Sequence, residues 1–437
     1  MARRLSDRLG AKPGQGKATV NDVSTIASVL KQQVIDRIDH AALAQLVETD
    51  KREHLRGELL ALLENSSYQL TRQEHAAVTD AVLNEILGLG PLEALMSDPT
   101  VSDILVNGPD TIYVERNGRL ERAGVRFRDN THLVNTISRI AASVGRRVDE
   151  SSPVVDARLA DGSRVNAIIP PLALDGAALS IRRFGAKAIS IEDLVQFGAM
   201  NRDMRRYFRA AVLAKCNILI SGGTGAGKTT LLNALSNFIP DGERVITLED
   251  SAELQLQGSH TVRLESRPPN MEGRGEVTIG DLMKNALRMR PDRIVVGEVR
   301  GAEALDMLQA MNTGHEGSMG TLHANSPEDA LQRLVTMITM GGGRLPPSTL
   351  NQIIGRTLDI IVQAARLSDG SRRITSIMEV LGIEDGEIVT SEIFKYEQSG
   401  LDEQGKIIGR HAYIAESAYL DKFYRIVALR RAKGSER

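Results

Sequence analysis

Cysteine occurs once in the 437 residues, as Cys216. One cysteine excludes an intramolecular disulfide framework and a four-cysteine zinc site. Tryptophan is absent and aromatic residues make up 3% of the chain, too few for a broad base-stacking platform. No sign of charge dominates: 54 Lys+Arg face 56 Asp+Glu, for a formal net charge of −2. Near-neutrality argues against a basic nucleic-acid coat and an acidic disordered chain. No apolar run approaches the roughly 18–20 residues of a membrane span. The first ten residues carry charge with no apolar core behind it, which does not fit a secretory signal. These absences point to a reducing cytoplasm. What is present, 42% hydrophobic and 25% charged residues, is the composition of a globular chain of about two to four domains.

Residues 1–23 read as a disordered basic tail, with Arg3, Arg4, Arg8, Lys12 and Lys17 set against Asp7. Residues 24–70 read as a helical segment, because Ile26, Val29, Leu30, Val34, Ile35 and Ile38 recur at helical spacing. A further helix is expected from Thr71, where Thr71 and Glu74 form a capping box, to a stop at Gly88–Pro91. Short strands with turn residues then alternate with one helix, near 132–144, so 71–184 reads as a small α+β domain. Residues 185–205 read as a linker and hinge, with Gly185 and Gly198 able to absorb backbone rotation. From 206 to 396 strand and helix alternate, with strands at 218–220, 245–247 and 294–296, which predicts a parallel α/β sheet. Residues 397–437 read as a polar, less regular tail.

One motif decides the chemistry. Gly222, Gly223, Thr224, Gly225, Ala226, Gly227, Lys228 and Thr229 match G-x-x-x-x-G-K-[ST], with Thr230 next. An apolar strand precedes the motif and a helical run follows it, the context a phosphate-binding loop requires. Glycines let backbone N–H groups wrap phosphate oxygens, and the helix N-terminus adds positive potential. Lys228 supplies a point charge for the β- and γ-phosphates of ATP, and the Thr229 hydroxyl is a ligand for Mg2+. Such a cradle needs carboxylates nearby. Glu249 and Glu298 each end a strand, where open α/β sheets bind ligands. His315 and His323 follow in a Gly/Ser/Thr-rich stretch, better suited to a phosphate oxygen than to zinc.

Four elements occur in the order found in type II/type IV secretion ATPases, and the chain resembles that family. They are the P-loop at 222–229, an acidic box at 249–253, an atypical Walker B segment at 287–298 and a histidine box at 314–325. Upstream, 89–95, 104–108, 145–149 and 156–166 look like the CpaF-type branch that serves tight-adherence (Tad/Flp) pili. The resemblance covers roughly residues 75–390. It implies a RecA-like P-loop NTPase domain behind the smaller α+β domain and the helical segment. It also implies a cytoplasmic homohexamer, peripheral at the inner membrane and docked on platform proteins, that spends ATP on pilin extraction. By the same resemblance Glu249 and Glu298 match the catalytic acids, with the water-polarising and Mg2+-holding roles open between them. Thr229 and Glu298 are the metal positions. His323 matches the histidine near the γ-phosphate. Arg164 and Arg182 match N-terminal-domain arginines that approach the nucleotide, with Arg183 an equal candidate.

Two absences bear on the branch. The single cysteine excludes the zinc module of the type II secretion and type IVa extension ATPases, and no retraction-type C-terminal signature is found. The stretch 408–420 lacks the Gly-x-Arg-Pro pattern expected there. Three other readings compete: a conjugative or effector-secretion ATPase, a nucleic-acid motor, and a scaffold that binds nucleotide without hydrolysis. Low charge and few aromatics count against stable nucleic-acid binding. The pair of glutamates with His323 counts against a scaffold.

Overall fold

The protein, seen in a computed structural model, is described over residues 26, 27, 29–31, 33, 34, 48–66, 68, 70–116, 119–183, 189–267, 269, 274–342 and 345–432. The expected disordered tail and much of the first helix lie outside these residues. The chain divides into two compact units, 1–184 and 185–437.

The first unit starts with helices. The described residues between 26 and 34 are helical. They are followed by α1 (Glu48–Glu64) and α2 (Arg72–Ile86). Leu30, Val34, Leu55, Leu59, Val78, Val82 and Leu83 share one buried cluster. Thus α2, expected to open the α+β domain, shares its core with the preceding helices. Its capping box forms: Thr71 N donates to Glu74 Oε2 at 2.7 Å, and Glu74 N donates to Thr71 Oγ1 at 3.3 Å. A 3-10 turn at Gly90–Leu92 and the short α3 (Glu93–Ser97) lead into a sheet.

That sheet holds β1 (Val101–Asn107), β2 (Ile112–Arg116), β3 (Arg119–Arg122), β4 (Val154–Arg158), β5 (Arg164–Ile168) and β6 (Ala178–Arg182). Its order is β3-β2-β1-β6-β5-β4, and every pairing is antiparallel. Period-two patterning puts Ile104, Val106, Ile112, Val114, Val165, Leu179 and Ile181 on the buried face. Helix α4 (Asn130–Ser143) covers them with Leu133, Ile137 and Ile140.

In the second unit the expected hinge is partly helical. Ser190 and Asp193 form a capping box that starts α5 (Ile191–Gln196), and α6 runs Arg202–Leu213. Three polar residues in six hide α5 from a periodicity search, while its cap chemistry is local and strong.

Nine strands follow, in the order β15-β14-β13-β12-β7-β11-β10-β8-β9. The parallel part contains β7 (Ile218–Gly222), β8 (Val245–Glu249), β9 (Thr261–Glu265), β10 (Arg293–Val296), β11 (Met319–Leu322) and β12 (Ile360–Arg366). The helices are α7 (Lys228–Ser236), α8 (Ile279–Ala286), α9 (Glu303–Asn312), α10 (Pro327–Met340), α11 (Pro347–Thr357) and α12 (Leu420–Ala432). α6, α7 and α12 share one apolar cluster, and α8 to α11 share another. A parallel sheet with its strands buried on both faces is the expected RecA-like layering. In β11, Gly320 makes room for a neighbour: a Cβ there would stand 2.7 Å from Met307 Sδ of α9.

The C-terminal expectation is corrected. Residues 397–432 are regular: β14 (Glu387–Leu401) crosses the supposed boundary, and β15 (Ile407–Tyr413) and α12 follow, while 433–437 lie outside the described residues. β14 and β15 pair antiparallel outward from β13 (Arg372–Glu384). The anchor is polar. Glu379 of β13 is fully buried. Its carboxylate accepts from Tyr207 Oη at 2.7 Å, from Ala418 N at 2.8 Å and from the Ser417 hydroxyl. Tyr419 Oη adds a bond to the Val380 carbonyl at 2.8 Å. These hydrogen bonds leave no trace in a hydrophobic pattern, and the apolar contacts beside them are few, Tyr419, Phe423 and Ile426 among them, on the core of this unit. Among the described residues no helix is long and apolar enough to cross a membrane.

Candidate nucleotide site

The phosphate loop joins β7 to α7. Its conformation depends on glycine: Gly225 and Gly227 take φ of +72° and +93°, in the left-handed region. Gly222 is excluded from carrying a side chain for another reason. A Cβ there would stand 2.3 Å from the Ala364 carbonyl oxygen of β12. Gly223, Thr224 and Gly225 are exposed, whereas Ala226 is buried and Thr229 and Thr230 are half-buried.

Lys228 is 8% exposed. Its Nζ donates to the carbonyls of Gly222 at 2.9 Å and Gly223 at 3.1 Å, and lies 3.4 Å from the His323 ring nitrogens. His323 follows β11 directly. Its Nε2 is 2.9 Å from Glu298 Oε1. The other Glu298 oxygen takes Arg300 Nη2 at 2.7 Å, and Arg300 Nη1 is 3.8 Å from Asp250 Oδ2. The adjacent strands β7, β11, β10 and β8 therefore deliver Lys228, His323, Glu298 and Asp250 to one end of the sheet.

The electrostatics follow from burial and these partners. Burial pushes the Glu298 carboxyl up, but Arg300, His323 and Lys228 together outweigh it and hold it below the ordinary range. Burial, then the Lys228 charge, lowers His323. A neutral ring fits the network: one nitrogen accepts from Lys228 while Nε2–H donates to Glu298. Lys228 is itself lowered by burial, against the pull of Glu298.

Glu249 stands apart from this network. It is 2% exposed. Its Oε2 accepts from the backbone N–H of Glu253 at 2.7 Å and of Leu254 at 2.8 Å. Burial raises its carboxyl despite those bonds. The absence of a side chain at Gly297 gives it space, since a Cβ there would lie 2.9 Å from Glu249 Cγ. His315 turns away from the loop, with Nδ1 3.2 Å from the Ala310 carbonyl.

Arg164 and Arg182 lie in the first unit as directly opposed residues of β5 and β6. Arg164 pairs with Asp156 at 3.3 Å and Arg182 with Asp103 at 3.1 Å. Arg183 bonds the backbone carbonyls of Asp98 and Val101, which commits its guanidinium to the fold.

Two neighbours of the loop escaped the sequence reading. Arg300 sits two residues after Glu298, so a local signal existed. Arg372, at the start of β13, had none: its Nε donates to the Gly225 carbonyl at 2.9 Å across 147 positions.

A nucleotide and its Mg2+ fit this donor set. The loop has exposed glycines, a buried lysine at its floor and the N-terminus of α7 behind it. Thr229 and Glu298 are oxygen donors suited to a hard cation. Among the described residues, no group of three or more His, Cys, Asp or Glu side chains could hold a metal by itself.

The comparisons with known proteins converge on one family. The model of the type II/IV secretion system protein family matches residues 85–416. A putative conjugal transfer protein of Mycobacterium tuberculosis is 40% identical over 299 residues, 67% of this chain and 84% of its own. The conjugal transfer protein TrbB of Rhizobium radiobacter is 33% identical over 309 residues, 69% of this chain and 91% of its own. The solved VirB11 ATPase of the Brucella suis type IV secretion system, in complex with sulphate, is 29% identical with a TM-score of 0.37, covering 66% of this chain and 94% of its own. With its phosphate loop, strand-end acids and histidine in place and most of its length matched, the chain belongs to the type II/IV secretion system protein family.

Proposed function

We propose that the protein is a hexameric ATPase that drives assembly, and retraction where it occurs, of a tight-adherence pilus at the inner membrane. The observation that carries the enzymatic part is the Lys228–His323–Glu298 chain, which links the phosphate loop to an acid through hydrogen-bond distances. Loop N–H groups and Lys228 bind the phosphates. Mg2+ would offset phosphate charge, and Thr229 and Glu298 are the residues that would hold it. Glu298, held anionic by Arg300, suits the cation. Glu249, with its carboxyl raised by burial, suits the proton acceptor for an attacking water. His323 orients Glu298 and reports on the phosphate end of the site. By the family resemblance, Arg164 and Arg182 are the arginines assigned to neutralise charge developing on the phosphoryl group. The segments at 89–95, 104–108, 145–149 and 156–166 support the tight-adherence branch.

MgATP hydrolysis per chain against protein concentration, for wild type and Lys228→Ala, tests this reading. A rate that climbs with concentration and vanishes in the variant is expected. Turnover that survives Lys228→Ala refutes the site. A second reading, a conjugative or effector-secretion motor, is supported by relatives named as conjugal transfer proteins. In the native host, Lys228→Ala then abolishes DNA or effector transfer and leaves surface pili intact.

A further inference from the structure

Three consecutive residues at the start of β13 touch two functionally different parts of the second unit. Arg372 Nε donates to the Gly225 carbonyl of the phosphate loop at 2.9 Å. Its Cδ is 3.4 Å from where a Gly227 Cβ would stand. Arg373 Nη1 donates to the Phe197 carbonyl at 3.2 Å. Ile374 N donates to the Ala199 carbonyl at 2.9 Å. Residues 197–199 end α5, on the segment by which the chain enters this unit from the first one.

The target of Arg373 and Ile374 is a stiff turn. Phe197 N, Gly198 N and Ala199 N bond back to Asp193, Val195 and Leu194 at 2.8, 3.0 and 2.9 Å. Gly198 takes φ +70°, the left-handed residue that closes a helix end. Met200, next along, is buried in the same core as β7. The turn is therefore internally bonded and would respond as one body. On its other side, His411 Nε2 donates to the Ile374 carbonyl at 3.1 Å, and Asn201 Nδ2 donates to the His411 carbonyl at 3.4 Å.

We propose that Arg372, Arg373 and Ile374 form a coupling element that transmits phosphate-loop occupancy to the 197–199 turn, and so to the entry segment of the ATPase unit. The inference rests on the nucleotide reading above and adds a path to it. Phosphate drawn into the loop reorients the Gly225 peptide, whose carbonyl is the acceptor for Arg372. Arg373 Nη1 also donates to the Arg372 carbonyl at 2.9 Å, so a shift of the Arg372 backbone moves the guanidinium that holds the Phe197 carbonyl. Both are positioning residues. The coupling is reciprocal, as any linkage must be: restraint of the turn alters nucleotide affinity by the same factor.

Hydrogen–deuterium exchange of the full chain, with and without Mg2+ and a fluorescent ADP, tests this on wild type, Arg373→Ala and Arg373→Lys. Wild type is expected to show a nucleotide-dependent change in exchange at 197–199. In Arg373→Ala that change falls by about threefold or more, while nucleotide affinity shifts by less than about fivefold, the range one exposed hydrogen bond permits. Arg373→Lys, which keeps one donor, restores part of the change. A merely structural role would raise exchange at 197–199 equally with and without nucleotide, and that result overturns the coupling. So does nucleotide binding by wild type with no change at 197–199. If wild type binds no nucleotide in the fluorescence titration, the nucleotide reading itself fails and the coupling falls with it.

Discussion

Replacing Glu379 separates the worth of an acceptor from the worth of a charge. The side chain is fully buried, and no cation pairs with it among the described residues. It accepts from Tyr207 Oη, Ser417 Oγ and Ala418 N. Glu379→Ala leaves three donors without that acceptor. Each stranded buried donor costs about 1–3 kcal/mol. The two hydroxyls can rotate toward other acceptors, but the Ala418 N–H cannot. A loss of about 4 kcal/mol is therefore expected, in the upper tail for single substitutions. Glu379→Gln behaves differently. Its amide oxygen can take Ala418 N while its NH2 donates to the hydroxyl oxygens, which also accept. That variant is expected to lose about 1 kcal/mol or less. Urea unfolding followed by tyrosine fluorescence suits the test, because no tryptophan is present and Tyr207 and Tyr419 border the site. Trypsin cleavage within 397–432 gives a second, local readout. Equal losses in the two variants would refute the acceptor argument, as would an alanine variant within about 1 kcal/mol of wild type.

Other outcomes follow from the phosphate loop and its acids. Gly222→Ala places a Cβ against backbone at 2.3 Å, whereas Gly223→Ala meets nothing within 4 Å; thermal unfolding should be sharply lowered in the first and nearly unchanged in the second. The Glu298 carboxyl is held low in the folded chain, so its stabilising contribution is present above the unfolded carboxyl range and is lost as pH falls through the lowered folded value. Melting temperatures of Glu298→Gln should lie below wild type near about pH 6 and converge with it toward about pH 3; a constant gap would contradict the assignment. Arg300→Ala removes the bond that most lowers Glu298, so a titration of that carboxyl followed by NMR should move upward.

The legible part of the fold was the part written in local chemistry. The Thr71–Glu74 capping box, the glycines at 222–227 and the apolar strands ahead of Lys228, Glu249 and Glu298 each carry their own signal. What escaped was written in distant pairs. β11 is only four residues, Met319–Leu322, and its glycine and threonine leave no apolar run to read; pairing between β7 and β10 makes it a strand. The segment from 397 looked polar because its strands carry few buried apolar residues; its hold on Glu379 is polar, and its apolar contacts, Tyr419, Phe423 and Ile426 among them, come late and are few. The same division holds at the site. Lys228, His323 and Glu298 were found by motif and meet in space, while Arg372 reaches Gly225 across 147 positions and no spacing rule could pair them.

The recess at Gly320 has a consequence for how this sequence can drift. Met307 Sδ already occupies the space a side chain at 320 would need, at 2.7 Å from the Cβ position. Methionine bends, so alanine at 320 is admitted only when residue 307 shortens or swings aside. A smaller residue at 307 with glycine kept at 320 leaves a void beside β11, and voids in close-packed interiors are costly. The two positions therefore constrain one another: a side chain at 320 fits best when 307 is smaller. Paired substitution at 307 and 320, large-with-small exchanged for small-with-large, is the signature this packing should leave in the descendants of the chain.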